Sequence, residues 1–224
     1  GQSSANLVAF WLMLAYCLSF LDRQILVLMI EPIQRDLNIS DTMFSLLHGA
    51  SFALFYTITG LFLGKIVDTK SRVKIIAFSV FLWSLATAVS GISRSFFQLF
   101  LARVFVGVGE AGLSPATYSL LGDLFDAKKR SLAFAIYGAG IYLGTGLAFL
   151  LGGKLVGYLS GLPPSDLPFF GEIYSWQIAF FIFAAPGIFL SILFYFFVAE
   201  PVRGGQENTA ILSAPAKEAA PVSF

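Results

Sequence analysis

The sequence predicts an all-α membrane protein organised as one six-helix transmembrane bundle. Three observations predict it: 57% of the residues are hydrophobic and only 12% charged, the apolar residues fall in long uninterrupted runs, and the basic residues collect in alternate connections between those runs. Such a composition is far too apolar for a soluble domain of this length. A helix needs about 18 or more apolar residues to cross roughly 30 Å of hydrocarbon. Six runs meet that length, at 7–30, 42–64, 74–92, 96–121, 131–158 and 177–198. A membrane barrel would instead show alternation over short strands, with every second residue polar, and these runs do not alternate.

Charge and cysteine usage narrow the function classes. A net charge of +1 offers no clustered cationic surface for nucleic acid. The one cysteine, Cys17, excludes an intrachain disulfide and a CxxC metal site and is expected to fill core or face lipid. No nucleophile-and-base pair, metal-ligand cluster or phosphate-cradling loop is present in the sequence, so neither an enzyme nor a metal or cofactor is expected.

The first run has no Lys or Arg before it and no small-residue cleavage pattern after it, so it reads as a true span rather than a secretory signal. One set of connections holds Lys65, Lys70, Arg72 and Lys74, then Lys128, Lys129 and Arg130, then Arg203 and Lys217; the opposite set holds only Arg35 and Arg94. The richer set is expected in the cytoplasm, with both termini. Residues 161–176, "GLPPSDLPFFGEIYSW", then form an outer loop. The expected domain organisation is a transmembrane bundle over 1–203 and a flexible cytoplasmic linker over 204–224, where Ala, Pro, Ser and charge replace the apolar runs.

Within the spans, the first carries Asp22 and Arg23 side by side in "LSFLDRQILVL". The second opens at "NISDTMF", with Ser40 or Asp41 as N-cap, and carries the lone His48, more often a hydrogen-bonding residue than a proton relay. The fourth carries Arg103 and Glu110, seven residues and two turns apart on one face, about 10 Å from each other and too distant for a direct pair. The fifth carries Gly138, Gly140, Gly144, Gly146, Gly152 and Gly153, a small-residue stripe that suits close helix approach, while Lys154 near its end can snorkel. The sixth is Phe-rich and apolar all round, which predicts a lipid-facing helix kinked at Pro186 and Gly187.

An ionised group at bilayer depth costs several kcal/mol unless paired or facing water, so intramembrane charges mark function by default. Asp22 and Glu110 are the candidate proton-coupling carboxylates, and Arg23 and Arg103 the cations for an anionic substrate group. The bland alternative is a set of static pairs that fix helix register.

"GLFLGKIVDTKSRVK", with Gly64, Asp68, Arg72 and Lys74, resembles the inner-loop signature of the major facilitator superfamily, although Ser71 stands where that pattern has Gly and Thr69 where it has a basic residue. "LARVFVGVGEAGLSPATYSLLGDLF", with Arg103, Gly107, Gly109, Glu110 and Pro115, is similar to its fourth-helix pattern. With "LDR" and "IYLGTGLAFLLGG", the chain looks most like the Spinster group, whose members move lysophospholipids and sphingosine phosphate.

The resemblance spans about residues 7–203 and implies two inverted three-helix repeats forming half of a twelve-helix fold, completed by a carboxy-terminal six-helix bundle. It also implies proton-coupled, alternating-access transport of an amphipathic lipid in a bacterial inner membrane or its equivalent. Asp68 and Arg72 then belong to a gate between the bundles. The rival readings are a proton-coupled symporter of small organic anions and a non-transporting lipid-binding scaffold.

Overall fold

A computed structural model of the chain describes residues 2–160, 165–167 and 171–204. Among them are six helices long and apolar enough to cross a membrane: Ser4–Leu28, Asp41–Val67, Arg72–Ser90, Phe96–Leu124, Ala127–Leu159 and Ser175–Phe197. These are the six predicted spans, each shifted by a few residues at its ends. A short amphipathic helix, Ile30–Leu37, follows the first span and ends at Asn38, whose left-handed backbone (φ 51°) turns the chain. Ser40, one of the two expected caps, accepts from the Met43 N–H and starts the second span.

Part of the expected outer loop is not loop. Ser165–Leu167 and Gly171–Ile173 pair as a small antiparallel hairpin with Ser165 opposite Ile173. The linker expected from 204 onward lies, apart from Gly204, outside the described residues.

Glycines decide which helices touch. A Cβ on Gly140 would sit 2.6 Å from the Met13 carbonyl, and one on Gly144 would collide with the Cys17 carbonyl, so the fifth span lies backbone to backbone on the first. Gly152 continues that stripe against Ile25, whereas Gly138, Gly146 and Gly153 face open space. The predicted stripe therefore narrows to one residue every four or eight along a single face. Cys17 is buried in this seam as core filling.

The fourth span, broken for two residues after Glu110, wedges between the second and third. A Cβ on Gly107 would lie 2.8 Å from the Phe52 carbonyl, and one on Gly109 2.7 Å from the Trp83 nitrogen. The glycines of "VGVGEAG" are thus contact points on two neighbours.

The sixth span departs from the all-round lipid-facing expectation. It runs as one helix through Pro186 and packs mainly along the third, where Ala184, Gly187, Ser191 and Phe194 are buried, while Trp176 and Phe180 near its start join the core around the first span. The small residues Ala184, Gly187 and Ser191 recur at three- and four-residue steps and admit the neighbour, a pattern masked in the sequence by abundant Phe. At the other extreme, only 11% of the second span's apolar window and 22% of the fifth's are buried inside the bundle.

Candidate functional site

Because the fifth span anchors the first and the glycines of the fourth seat it centrally, the polar faces of the first and fourth spans meet inside the bundle. Ser19, Asp22 and Arg23 stand at i, i+3 and i+4, one helical face. They meet Arg103 and Glu110, and the four charges pair crosswise. Arg103 Nη1 donates to Asp22 Oδ2 at 2.9 Å, while Arg23 donates to Glu110 Oε2 through Nε at 2.9 Å and through Nη2 at 2.5 Å. Each helix contributes one carboxylate and one guanidinium, and the adjacent Asp22 and Arg23 look to different partners.

Two hydroxyls complete the arrangement, neither expected from the sequence. Thr87 on the third span donates to Asp22 Oδ1 at 2.7 Å, and Ser19 donates to Glu110 Oε2 at 2.7 Å. Ser19 was legible in principle, one helical turn before the charged pair; Thr87 carried no signal, because only the tertiary fold brings the third span to Asp22.

The two pairs differ in access. Asp22, Arg103 and Glu110 are 2–4% exposed, whereas the Arg23 side chain keeps 24%. The Arg23 guanidinium lies over Phe20, Phe52 and Tyr56, at 4.6, 4.3 and 5.6 Å from the ring centroids. Such faces attract a cation and hold it in place. Two buried polar atoms, Glu110 Oε1 and Arg103 Nε, have no hydrogen-bond partner among the described residues. A buried polar atom left unpaired costs roughly 1–3 kcal/mol and marks where a proton, water or ligand group would be held. Chemically, the site offers two ion pairs with spare hydrogen-bonding capacity at Glu110 Oε1 and Arg103 Nε.

The inner-loop signature forms a second network, at the ends of the third, fourth and sixth spans. Arg72, 1% exposed, donates from Nε to Glu200 at 2.7 Å, pairs with Asp123, and reaches the Ser119 and Pro201 carbonyls, each at 3.1 Å. Ser71, the residue that replaces the pattern's Gly, caps the third span and donates to Glu200 at 2.7 Å. Burial pushes the Glu200 carboxyl up, but the Val73 N–H, Arg72 and Ser71 outweigh it and hold Glu200 below the ordinary glutamate value. Asp68 and Arg72 do not pair; Arg203 grips the Asp68 backbone carbonyl instead, at 2.8 Å. Gly64 faces open space, and Asp68 and Lys74 are exposed. Asp123 and Glu200 were missed in the sequence because they lie 51 and 128 residues from Arg72. Lys154 is exposed and stands outside both networks, while His48, also exposed, is near enough to Arg103 to feel its charge.

Comparison with known proteins decides the family: residues 12–221 match the model of the Major Facilitator Superfamily. The chain belongs to the major facilitator superfamily. Relatives include an MFS-type efflux pump of Mycolicibacterium smegmatis, 31% identical over 79% of this chain and 38% of that protein. A probable L-galactonate transporter of Escherichia coli is 28% identical over 87% of this chain and 39% of its own length. A sphingosine-1-phosphate transporter of Danio rerio is 27% identical over 85% of this chain and 35% of its own length.

Among solved structures, a bacterial homologue of the human lysosomal transporter Spinster, in an inward-facing and unoccupied conformation, superposes with a TM-score of 0.83 at 33% identity. It covers 91% of this chain and 45% of that one. This major facilitator chain is therefore Spinster-like in sequence and fold, a nearly all-helical six-span half of that architecture, and spans less than half the length of these proteins.

Proposed function

We propose that this chain is the amino-terminal bundle of a proton-coupled secondary transporter that moves an amphipathic lipid, such as a lysophospholipid or sphingolipid, by alternating access. The observation that carries the reading is the crosswise pairing of Asp22 with Arg103 and Glu110 with Arg23. Sliding the first span against the fourth breaks both pairs together, so the state of the pocket and the protonation of its carboxylates are linked. Protonating Glu110 removes Arg23's ionised partner. Arg23, the more accessible guanidinium, is then available to a phosphate on the substrate while the aromatic rings keep it in place. Asp22 and Arg103 serve as the deeper pair. The unpaired Glu110 Oε1 is the atom we assign to receive the proton.

The lipid assignment draws support from the Spinster-like likeness and from the sphingosine-1-phosphate transporter among the relatives. A carboxy-terminal six-helix bundle is the proposed partner, covering the poorly buried second and fifth spans; Asp68 and Lys74 then face it at the inner gate. In this reading residues 1–203 form the bundle, 204–224 begin the linker, both termini are cytoplasmic, and the membrane is a bacterial inner membrane or its equivalent. The bundle alone is expected not to transport, since alternating access needs a second bundle to move against. Saturable uptake by the reconstituted bundle alone overturns that expectation.

The L-galactonate transporter among the relatives favours a second reading, symport of a small organic anion on the same two guanidiniums. Competition separates the two. A labelled lysophospholipid bound to the full protein is challenged with unlabelled lysophospholipid and with galactonate. Displacement by the lipid alone is expected; displacement by galactonate alone moves the assignment to the anion.

A further inference from the structure

A buried tyrosine lies just inward of the four charges and takes no part in their pairing. Tyr137, on the fifth span, is 0% exposed, and its hydroxyl shares a hydrogen bond with Ser114 at 2.9 Å. Its ring stacks on Tyr16 of the first span, with centroids 4.4 Å apart, and Tyr118 of the fourth meets it edge-on. Ser114 follows Glu110 by four residues, across the break in the fourth span. Tyr137 therefore touches the two helices that carry the charges.

Thr117, three residues beyond Ser114 and on the same helical face, is the unexplained member of this group. It is 0% exposed, and its hydroxyl has no hydrogen-bond partner among the described residues. A helical threonine can donate to the carbonyl three or four residues earlier; Thr117 makes no such bond. The Tyr137 hydroxyl stands close enough for the two to interact, yet they do not meet as a hydrogen bond. A buried hydroxyl left idle is costly, and few native structures keep one without a use.

We propose that Tyr137 is a positioning residue for the pocket, and that its hydroxyl passes from Ser114 in this structure to Thr117 in the alternate state. The motion is the one that breaks the ion pairs. Gly140 and Gly144 seat the fifth span backbone to backbone on the first, and Tyr16 stacks on Tyr137, so a slide of the first span along the fourth carries Tyr137 with it. Ser114 and Thr117 are three residues apart, a rise of about 4.5 Å. A shift of less than one turn, with reorientation of the ring, covers that distance. Tyr137 is then bonded at both ends of the slide, and two discrete partners make the motion a step rather than a drift. The inference rests on the alternating-access reading and not on which substrate the pocket carries.

The test uses the full two-bundle protein in nanodiscs, with one spin label at Lys128 on the inner connection and another on the facing connection of the partner bundle. Pulsed electron-spin distances across the inner mouth are expected to show two populations in the wild type. One neutral hydrogen bond changes such a ratio about fivefold. Ser114→Ala is therefore expected to move the ratio about fivefold one way, and Thr117→Val about fivefold the other. Tyr137→Phe, which forfeits both bonds, is expected to stay near the wild type. So are Ser114→Thr, which keeps a hydroxyl, and Tyr118→Phe, which removes a hydroxyl outside the group. A purely structural role would not push Ser114→Ala and Thr117→Val in opposite directions. Shifts in one direction from both, no shift from either, or an equal shift from Tyr118→Phe overturns the proposal while alternating access stands. A single distance for the wild type at every pH overturns alternating access and the proposal with it.

Discussion

Arg23 grips Glu110 by one oxygen only: Nε and Nη2 both donate to Oε2, leaving Oε1 buried and unpartnered among the described residues. The pairing is specific enough to be tested by double-mutant cycles on unfolding in detergent. Removing one member of a buried pair strands the other, at a cost of about 3–5 kcal/mol. Arg23→Gln is therefore expected to destabilise strongly and Glu110→Gln to recover most of the loss. The Arg23 to Glu110 coupling is expected to exceed the coupling of Arg23 to its chain neighbour Asp22, which answers to Arg103. Equal couplings would contradict the crosswise arrangement.

The seam between the first and fifth spans makes a second prediction. Gly144→Leu drives a side chain into the Cys17 carbonyl; overpacking a close seam costs about 1–3 kcal/mol, and backbone contact puts this case at the upper end. Gly146 is exposed and a Cβ there meets nothing within 4 Å, so Gly146→Leu is expected to change stability by less than about 0.5 kcal/mol. Thermal unfolding of the two variants side by side checks the difference.

The six spans were legible because length and hydrophobicity are local properties of the chain. The charge cluster was legible as a set of costly groups: Asp22, Arg23, Arg103 and Glu110 stand out against their surroundings wherever the helices go. Which guanidinium meets which carboxylate was not legible, because that depends on the axial register of the first and fourth spans, set by Gly107, Gly109, Gly140 and Gly144 together. The inner-loop signature was legible as a motif, but the partners of Arg72 within this bundle were not. Arg72 turns inward to Asp123 and Glu200, which lie 51 and 128 residues away in the chain, while Asp68 stays exposed. The sixth span misled because its Phe content hid the small-residue face that packs on the third.

Arg72 offers a third prediction. Its planar fork reaches acceptors on four residues in different directions, a geometry that a single ammonium cannot reproduce. Arg72→Lys keeps the charge but loses hydrogen bonds to charged groups worth about 1.5–3 kcal/mol each. A loss of about 2 kcal/mol or more in unfolding free energy is expected, and an unchanged value would show the network to be ornamental.

Glu200 sets the pH dependence of that same network. Its carboxyl is held below the ordinary glutamate value, so it stabilises the fold fully above the unfolded value of about 4.3. That contribution fades as pH falls through the lower, folded value. Measured against pH, the gap in unfolding midpoint between wild type and Glu200→Gln is expected to be widest near neutrality and to close in acid. A gap that stays constant down to acid would assign the effect to packing rather than to ionisation.

The central claim, that the crosswise carboxylates couple protons to movement of an amphipathic lipid, is tested most directly in liposomes containing the full two-bundle protein. Lysophospholipid movement is followed with and without an imposed proton gradient for wild type, Asp22→Asn and Glu110→Gln. The gradient is expected to accelerate the wild type, while both variants still bind lipid and Glu110→Gln loses the acceleration. An equal response from all three proteins would contradict the claim and leave the four charges as a static lock on helix register.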